Sequence, residues 1–321
     1  MSIFLPKLKQ GDRLSSLQIT ICNVGSRKLG SYDDYGASGW NIFAPNLTII
    51  GFDADADACD AANTALQDPS VTWTEEHIPL ALSDTSGETT LYVTKAAACS
   101  SLYPPNEPYL ERFASLPEFA NLDFTVELPV TTLDQVCRDR GIGAIDFLQI
   151  DVQGADLQVL QGGAEMLNRV LAVQIEVEFS HLYCDQPLFA DVDAHLRSQG
   201  FTLFDLSIAR RVRRRSPICS TTHPGQALWG DAFYFRDLLQ HDLAGLQPTP
   251  PEHLFKLACI ADVMQFPDYA LELLEYLTVN YGNDPRYNVA DAIVEALSDF
   301  PELVAEGLDN LPVVARVRGI A

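Results

Sequence analysis

Positive charge is what this chain has least of. Its 321 residues carry 21 Lys and Arg against 44 Asp and Glu, a net charge of −23 with a sequence pI near 4.4. Such a surface repels phosphodiester backbones and anionic headgroups, so general nucleic-acid or membrane-surface binding is disfavoured. Long apolar runs are missing too. The opening MSIFLPKLKQGDRL holds two lysines but no stretch long enough for a signal peptide, and nothing later approaches a membrane span. Cysteine is sparse and unpatterned: seven stand singly at 22, 59, 99, 137, 184, 219 and 259, without a CxxC. That reads as reduced thiols, not as a disulfide framework or zinc knuckle, and the expectation is a bacterial-type cytoplasm.

What remains is ordinary for a globular protein, at 47 % hydrophobic and 20 % charged residues with a mean hydropathy of +0.02. The length allows one large domain with an appendage, or two domains. From residue 17 to about 236, apolar β-branched runs alternate with helical spacing. LQITICNV (17–24), NLTIIGFDAD (46–55), HIPLALSD (77–84), FLQI (147–150) and VLAVQIEVEF (170–179) read as strands, with SGETTLYVT (86–94) as a hairpin arm. ADACDAANTAL reads as a helix with Asp55 as its N-cap, and TTLDQVCRDRG as one with a Thr cap and a Gly stop. Another helix runs from about 187 to 199, before FTLFDLSI and DAFYFR as two closing strands. This order predicts a doubly wound, mostly parallel α/β sheet with one antiparallel strand. Past the Pro-rich LQPTPPEH the spacing turns wholly helical. The expected domains are therefore 1–245 and a C-terminal α-helical appendage of three or four helices over 246–321.

In open α/β sheets ligands bind beyond the carboxyl ends of the strands. Those tips carry Asn23, Gly25 and Ser26; Asp53; Ser83 and Asp84; Asp151; and Glu176 and Glu178. A small residue after the first strand lets backbone N–H groups approach a ligand, and an acid ending the second can accept both ribose hydroxyls. Alternatively, Asp53 merely begins the turn into the Asp55-capped helix. NVGSRKLG has no GxGxxG, which a dinucleotide pyrophosphate needs, so NAD and FAD are disfavoured; S-adenosylmethionine, without a diphosphate, tolerates the looser loop.

TTLDQVCRDRGIGAIDFLQIDVQGADLQVLQGG resembles the diagnostic stretch of the FkbM-type methyltransferases. IGFDADADAC, LALSDTSGETTLYV, SSLYPP, IEVEFSHLYCDQPLF and GFTLFDL agree with the same pattern, in order, from about residue 17 to 236. The resemblance implies a class I, Rossmann-like, seven-stranded sheet and transfer of a methyl group from S-adenosylmethionine to a hydroxyl of a sugar, glycan precursor or other small molecule. By analogy Asp53, with Ala54, would hold the ribose, and Leu82, Ser83 and Asp84 would lie near the adenine. Asn23, Gly25 and Ser26 would lie near the methionine end. Asp151 would sit beside the sulfonium as the favoured base, with Glu176 helping and Glu178 and His181 as further candidates. Two positions depart from the pattern: the usual Lys is Gln149 and the usual Glu is Gln153.

ARRVRRRSP (209–217) is the one basic run. It reads either as a clamp for a phosphorylated or carboxylated acceptor through Arg211, Arg213 and Arg214, or as a charge run neutralised by nearby acids. Ser101, in SSLYPP, belongs to an acceptor lid or an ordered loop. Convergence of Asp151, Glu176 and Asp231 would suit Mg2+, but no sequence-local ligand cluster supports a metal. The C-terminal helices suit docking on the main domain, a homodimer contact or a cap over the acceptor cleft. The rivals are a non-catalytic nucleoside-binding protein and, disfavoured by the glycines, a nicotinamide-dependent oxidoreductase.

Overall fold

A computed structural model describes residues 2–28, 30, 34–243, 249–304 and 307–319. The expected boundary at 245/246 lies outside these residues. The strands are β1 (Ile19–Val24), β2 (Leu47–Asp53), β3 (Thr74–Pro79), β4 (Ala81–Leu82), β5 (Gly87–Thr94), β6 (Leu122–Thr131), β7 (Phe147–Ile150), β8 (Ala172–Glu178), β9 (Thr202–Leu206), β10 (Ala209–Arg211) and β11 (Gln226–Phe235). The main sheet runs β10-β11-β8-β7-β1-β2-β3, with β9 also on β11. Strands β1, β2, β3, β7 and β8 pair in parallel, and β11 runs antiparallel to its neighbours. Strand β1 lies beside both β2 and β7, so the chain leaves it in two directions and opens a crevice at its carboxyl end. This is the doubly wound class I arrangement. Its seven positions hold eight strands because the edge segment breaks between β9 and β10. There the Ser207 carbonyl crosses Gly230 where a Cβ would sit 1.9 Å away.

HIPLALSD is not one strand. The β3 ladder closes just past Pro79, where Leu80 donates to the Asp53 carbonyl (2.9 Å). The chain then turns off as β4 and joins a second sheet, β4-β6-β5, in which β5 and β6 form a long antiparallel arm.

The helices are α1 (Leu5–Gln10), α2 (Ala56–Ala65), α3 (Glu107–Leu110), α4 (Leu116–Ala120), α5 (Leu133–Arg140), α6 (Asp156–Gly162), α7 (Ala164–Leu167), α8 (Phe189–Ser198), α9 (Leu238–Leu243), α10 (Pro251–Val263), α11 (Pro267–Tyr281), α12 (Ala290–Ser298) and α13 (Pro312–Arg318). Asp55 caps α2 by accepting from the Asp57 and Ala58 N–H groups, and Thr132 caps α5 by accepting from that of Gln135. One sheet face buries Leu148, Ile150, Val173 and Ile175 against α5–α8. The other buries Ile21, Phe147, Ala172 and Phe235 in one core with α1 and α10–α13. Asp262 of α10 accepts the N–H groups of Ile3, Phe4 and Leu5 (2.9, 2.9 and 2.8 Å), tying the start of α1 to the C-terminal helices. Lys256 pairs with Asp146 (2.9 Å), which also accepts the Thr20 N–H at the foot of β1.

Candidate functional site

A cavity of about 1060 Å³ opens beyond the tips of β1, β2, β7, β8 and β11. Parallel pairing sets its floor in rows, because residues in register on adjacent strands share a face. Asn23, Gln149 and Gln174 form one row, continued by Phe233. Two residues nearer the tips, Asp151, Glu176 and Asp231 form an acidic row; Glu176 and Asp231 are direct cross-strand partners. All seven line the cavity. Trp40, Tyr35 and the Val263–Gln265 turn between α10 and α11 wall one side, and β5 and β6 the other.

The loop after β1 is fixed by backbone contacts. Gly25, at φ +85°, lies where a Cβ would meet the Asp151 carbonyl at 1.9 Å, so no other residue fits. The Gly25 and Ser26 N–H groups donate to the Phe52 carbonyl (2.8 and 2.9 Å), locking this loop to the tip of β2. Asp53 at that tip accepts from the Asp55 N–H (2.8 Å) and the Arg27 N–H (3.1 Å). Burial raises its pKa, and those two N–H groups oppose the rise. Arg27 pairs with Asp55. Behind the loop, the Ser26 hydroxyl meets His77 Nδ1 (2.9 Å), and His77 Nε2 meets Glu75 (2.8 Å). Burial pushes the Glu75 pKa up, but bonds from His77, Lys28 and Trp73 outweigh it and hold the carboxyl down near about 2. This buried relay supports the loop and does not face the cavity.

One amide holds two acids of the row, and the Ser207 hydroxyl donates to the third, Asp231 (3.1 Å). Gln153 Nε2 donates to Asp151 (2.7 Å) and to Glu176 (2.6 Å), while its Oε1 accepts from the Tyr183 hydroxyl (3.1 Å). Its backbone carbonyl accepts from the Ser101 hydroxyl (2.6 Å). Burial, then the neighbouring Asp151 charge, raise the Glu176 pKa well above the carboxylate range. Burial also raises that of Asp151, but bonds from Gln153 and Glu176 oppose it. Of the two, Glu176 is raised the further, because the Asp151 charge adds to its burial. Below them Asp156 accepts from the Val152 and Gly154 N–H groups (3.1 and 2.8 Å). Burial and Asp151 still push its pKa up to about 7.

Of the residues expected from the sequence, Asn23, Gly25, Asp53, Ala54, Leu82, Ser101, Asp151 and Glu176 line the cavity. Ser26, Ser83, Asp84, His181, Arg211, Arg213 and Arg214 do not. Ser26 is turned into the His77 relay, and His181 is exposed, its carbonyl accepting from Asn106. Ser83 is buried at the end of β4, whose departure from β3 carries Asp84 outward. Three of the five arginines in the run make contacts with protein side chains: Arg211 stacks on Trp229, Arg213 on Phe113, and Arg214 pairs with Glu111 and Glu118. Among the described residues six carboxylates line the cavity against one guanidinium, that of Arg27, so no clamp for an anionic acceptor forms there. Neither do the described residues contain a group of three or more His, Cys, Asp or Glu arranged to hold a metal ion. Sequence reasoning missed Tyr183 and Asp156 and left Gln153 without a role; its place two residues after a strand-tip acid was the only signal for it.

The order of strands and the cavity at the β1 tip define a class I methyltransferase fold. The Methyltransferase FkbM domain matches residues 37–203, just over half of the chain, which belongs to that family. A stretch of 77 residues is 32 % identical to the 2-O-methyltransferase NoeI of Sinorhizobium fredii, covering 24 % of this chain and 32 % of that protein. The chain thus spans about a third of that relative's length. Among solved structures it is similar to a methyltransferase FkbM of Methylobacillus flagellatus KT, at 11 % identity and a TM-score of 0.39, over 68 % of this chain and 43 % of the other. It is also similar to a magnesium protoporphyrin IX methyltransferase of Synechocystis PCC 6803 with bound SAM, at 9 % identity and a TM-score of 0.35, over 73 % and 76 %.

Proposed function

We propose that the chain is an S-adenosylmethionine-dependent O-methyltransferase acting on a hydroxyl of a sugar, glycan precursor or other small molecule. The observation that carries this reading is the Asp151–Glu176 pair, bridged by Gln153, set with the Asp53 tip and the Gly25 loop in one cavity. The residues fit the cofactor. Asn23 Oδ1 is buried at the cavity floor without a hydrogen-bond donor, as suits a site whose ligand brings an N–H or O–H. Asp53, fixed by two backbone N–H groups, keeps lone pairs for a ribose diol, and Gly25, Ala54 and Leu82 complete the apolar and backbone lining. When bound, S-adenosylmethionine supplies an electrophilic methyl carbon on a sulfonium. Transfer is an in-line displacement, so alignment and exclusion of water provide most of the acceleration. Asp151 takes the acceptor hydroxyl proton; the burial of Glu176 beside Asp151 favours its neutral form, which spares Asp151 a second adjacent charge. Gln153 orients both. His181 has no part in this scheme.

In this reading residues 1–245 carry the chemistry and 246–321 are a helical appendage that closes the cavity through Val263, Met264 and Gln265. The reading places the enzyme in the cytoplasm, where its unpaired cysteines stay reduced. Among the described residues no helix is long and apolar enough to cross a membrane. The NoeI match, to a 2-O-methyltransferase, supports a hydroxyl acceptor. Calorimetric titration with S-adenosylhomocysteine and with NAD tests the reading. Heat is expected with the former alone and is lost in Asp53→Ala; no heat with S-adenosylhomocysteine refutes it.

A further inference from the structure

The β5–β6 arm has its apolar side in an unusual place. In its register Leu91 faces Val126 and Val93 faces Phe124, so the four share one side of the ribbon. The opposite side carries pairs such as Thr90 with Glu127, joined by a hydrogen bond of 2.6 Å, and Tyr92 with Thr125. A two-stranded ribbon normally buries its apolar side against a core. Here none of the four belongs to the hydrophobic clusters of the described residues; all four line the cavity instead. Phe124 is 55 % exposed and Val126 42 % exposed. Leu102, Ala97 and Ala98 extend the same wall, which carries no charged group and runs into the acidic row.

We propose that this wall is an acceptor subsite for an apolar moiety, so that the substrate is amphipathic. Its hydroxyl reaches Asp151 while an attached alkyl, acyl or other apolar group lies along Leu91, Val93, Phe124 and Val126. This rests on the transferase reading and adds to it the class of the acceptor. Exposed apolar area carries a solvation penalty that a ligand covering it removes. Continuity with the cavity identifies the occupant as the molecule that enters the cavity.

The test uses the full chain and n-alkyl β-D-glucopyranosides from methyl to octyl, each below its micellar concentration, followed by tryptophan fluorescence. Affinity is expected to rise by about two- to fourfold per methylene over several carbons, as partial to full burial of each CH2 requires. Phe124→Asp with Val126→Asp removes that dependence, whereas Ile218→Asp, at a residue 85 % exposed outside the cavity, leaves it intact. Affinity independent of chain length, or a dependence equally lost in Ile218→Asp, overturns the proposal. Parallel titration of the unmodified protein with S-adenosylhomocysteine separates the two readings. If that ligand binds and chain length has no effect, the wall proposal alone falls. If it does not bind, the transferase reading falls with it.

Discussion

Gln153→Glu is the most discriminating single change in the site. The amide donates to Asp151 at 2.7 Å and to Glu176 at 2.6 Å, and a carboxylate there could donate to neither. In its neutral form the introduced acid keeps one donor, so one charge-assisted bond is lost, about 1.5–3 kcal/mol. Holding it neutral at pH 7 against a reference pKa of about 4.3 adds about 3.7 kcal/mol, roughly halved because the cavity is open to water. The expected loss of stability is therefore about 3–5 kcal/mol at pH 7 and about 2–3 kcal/mol at pH 5. The sign follows from the folded-state pKa of the new acid lying above its unfolded value. The penalty sets in above about pH 4.3 and grows until the folded pKa is passed. The family pattern has Lys where this chain has Gln149 and Glu where it has Gln153, which points to a compensating pair exchanged for two amides. Both residues line the cavity. Adding Gln149→Lys to Gln153→Glu should then recover about 2–4 kcal/mol, read as the coupling energy of a double-mutant cycle. Urea denaturation at pH 5 and 7 measures all four proteins. A Gln153→Glu protein within about 1 kcal/mol of the parent at pH 7, or an equal deficit at both pH values, would refute the bridging role.

Asp156 gives a second pH signature. Its folded pKa is raised from 3.8 to about 7, so its contribution favours the fold at low pH and declines as pH rises from about 4 to 7. Asp156→Asn should make the slope of unfolding free energy in that window less negative by up to about 1.4 kcal/mol per pH unit, and an unchanged slope would contradict the assignment. Asp262→Ala strands the three N–H groups of Ile3, Phe4 and Leu5 in the core and should cost about 3–5 kcal/mol in denaturant unfolding. A loss under about 1 kcal/mol would mean that water replaces the carboxylate.

Much of this architecture is legible in the sequence because sheet register converts residue type into position. An apolar run ending in an acid places that acid at a strand tip, and Asp53, Asp151 and Glu176 follow from that rule alone. The rule fails where a strand is not in the main sheet. HIPLALSD reads as continuous, yet β3 ends at Pro79 and the chain turns off as β4, which takes Ser83 and Asp84 out of the cavity. β6 gives no core signature because one of its sides faces the cavity and the other water. The arginine run shows the opposite failure. Its composition suits an anion clamp, but the partners that consume it, Glu111, Glu118, Phe113 and Trp229, lie on other segments whose packing no local pattern encodes.

Gln153 is the sharpest case, because its role depends on a backbone angle and not on its type. It sits at φ +55°, a left-handed conformation that a non-glycine residue adopts at a cost of about 1–3 kcal/mol. Its neighbour Gly154 takes φ +96° without that cost. The two together bring the Gln153 side chain back over the end of β7, within reach of Asp151 on one side and Glu176 on the other. The local cost is offset by the two bonds that the amide makes to carboxyl oxygens there and by the Ser101 hydroxyl, which donates to the Gln153 carbonyl. A pattern of residue types cannot contain that information. It requires knowing that the turn after β7 is left-handed at two successive positions, and that a second acid waits one strand away.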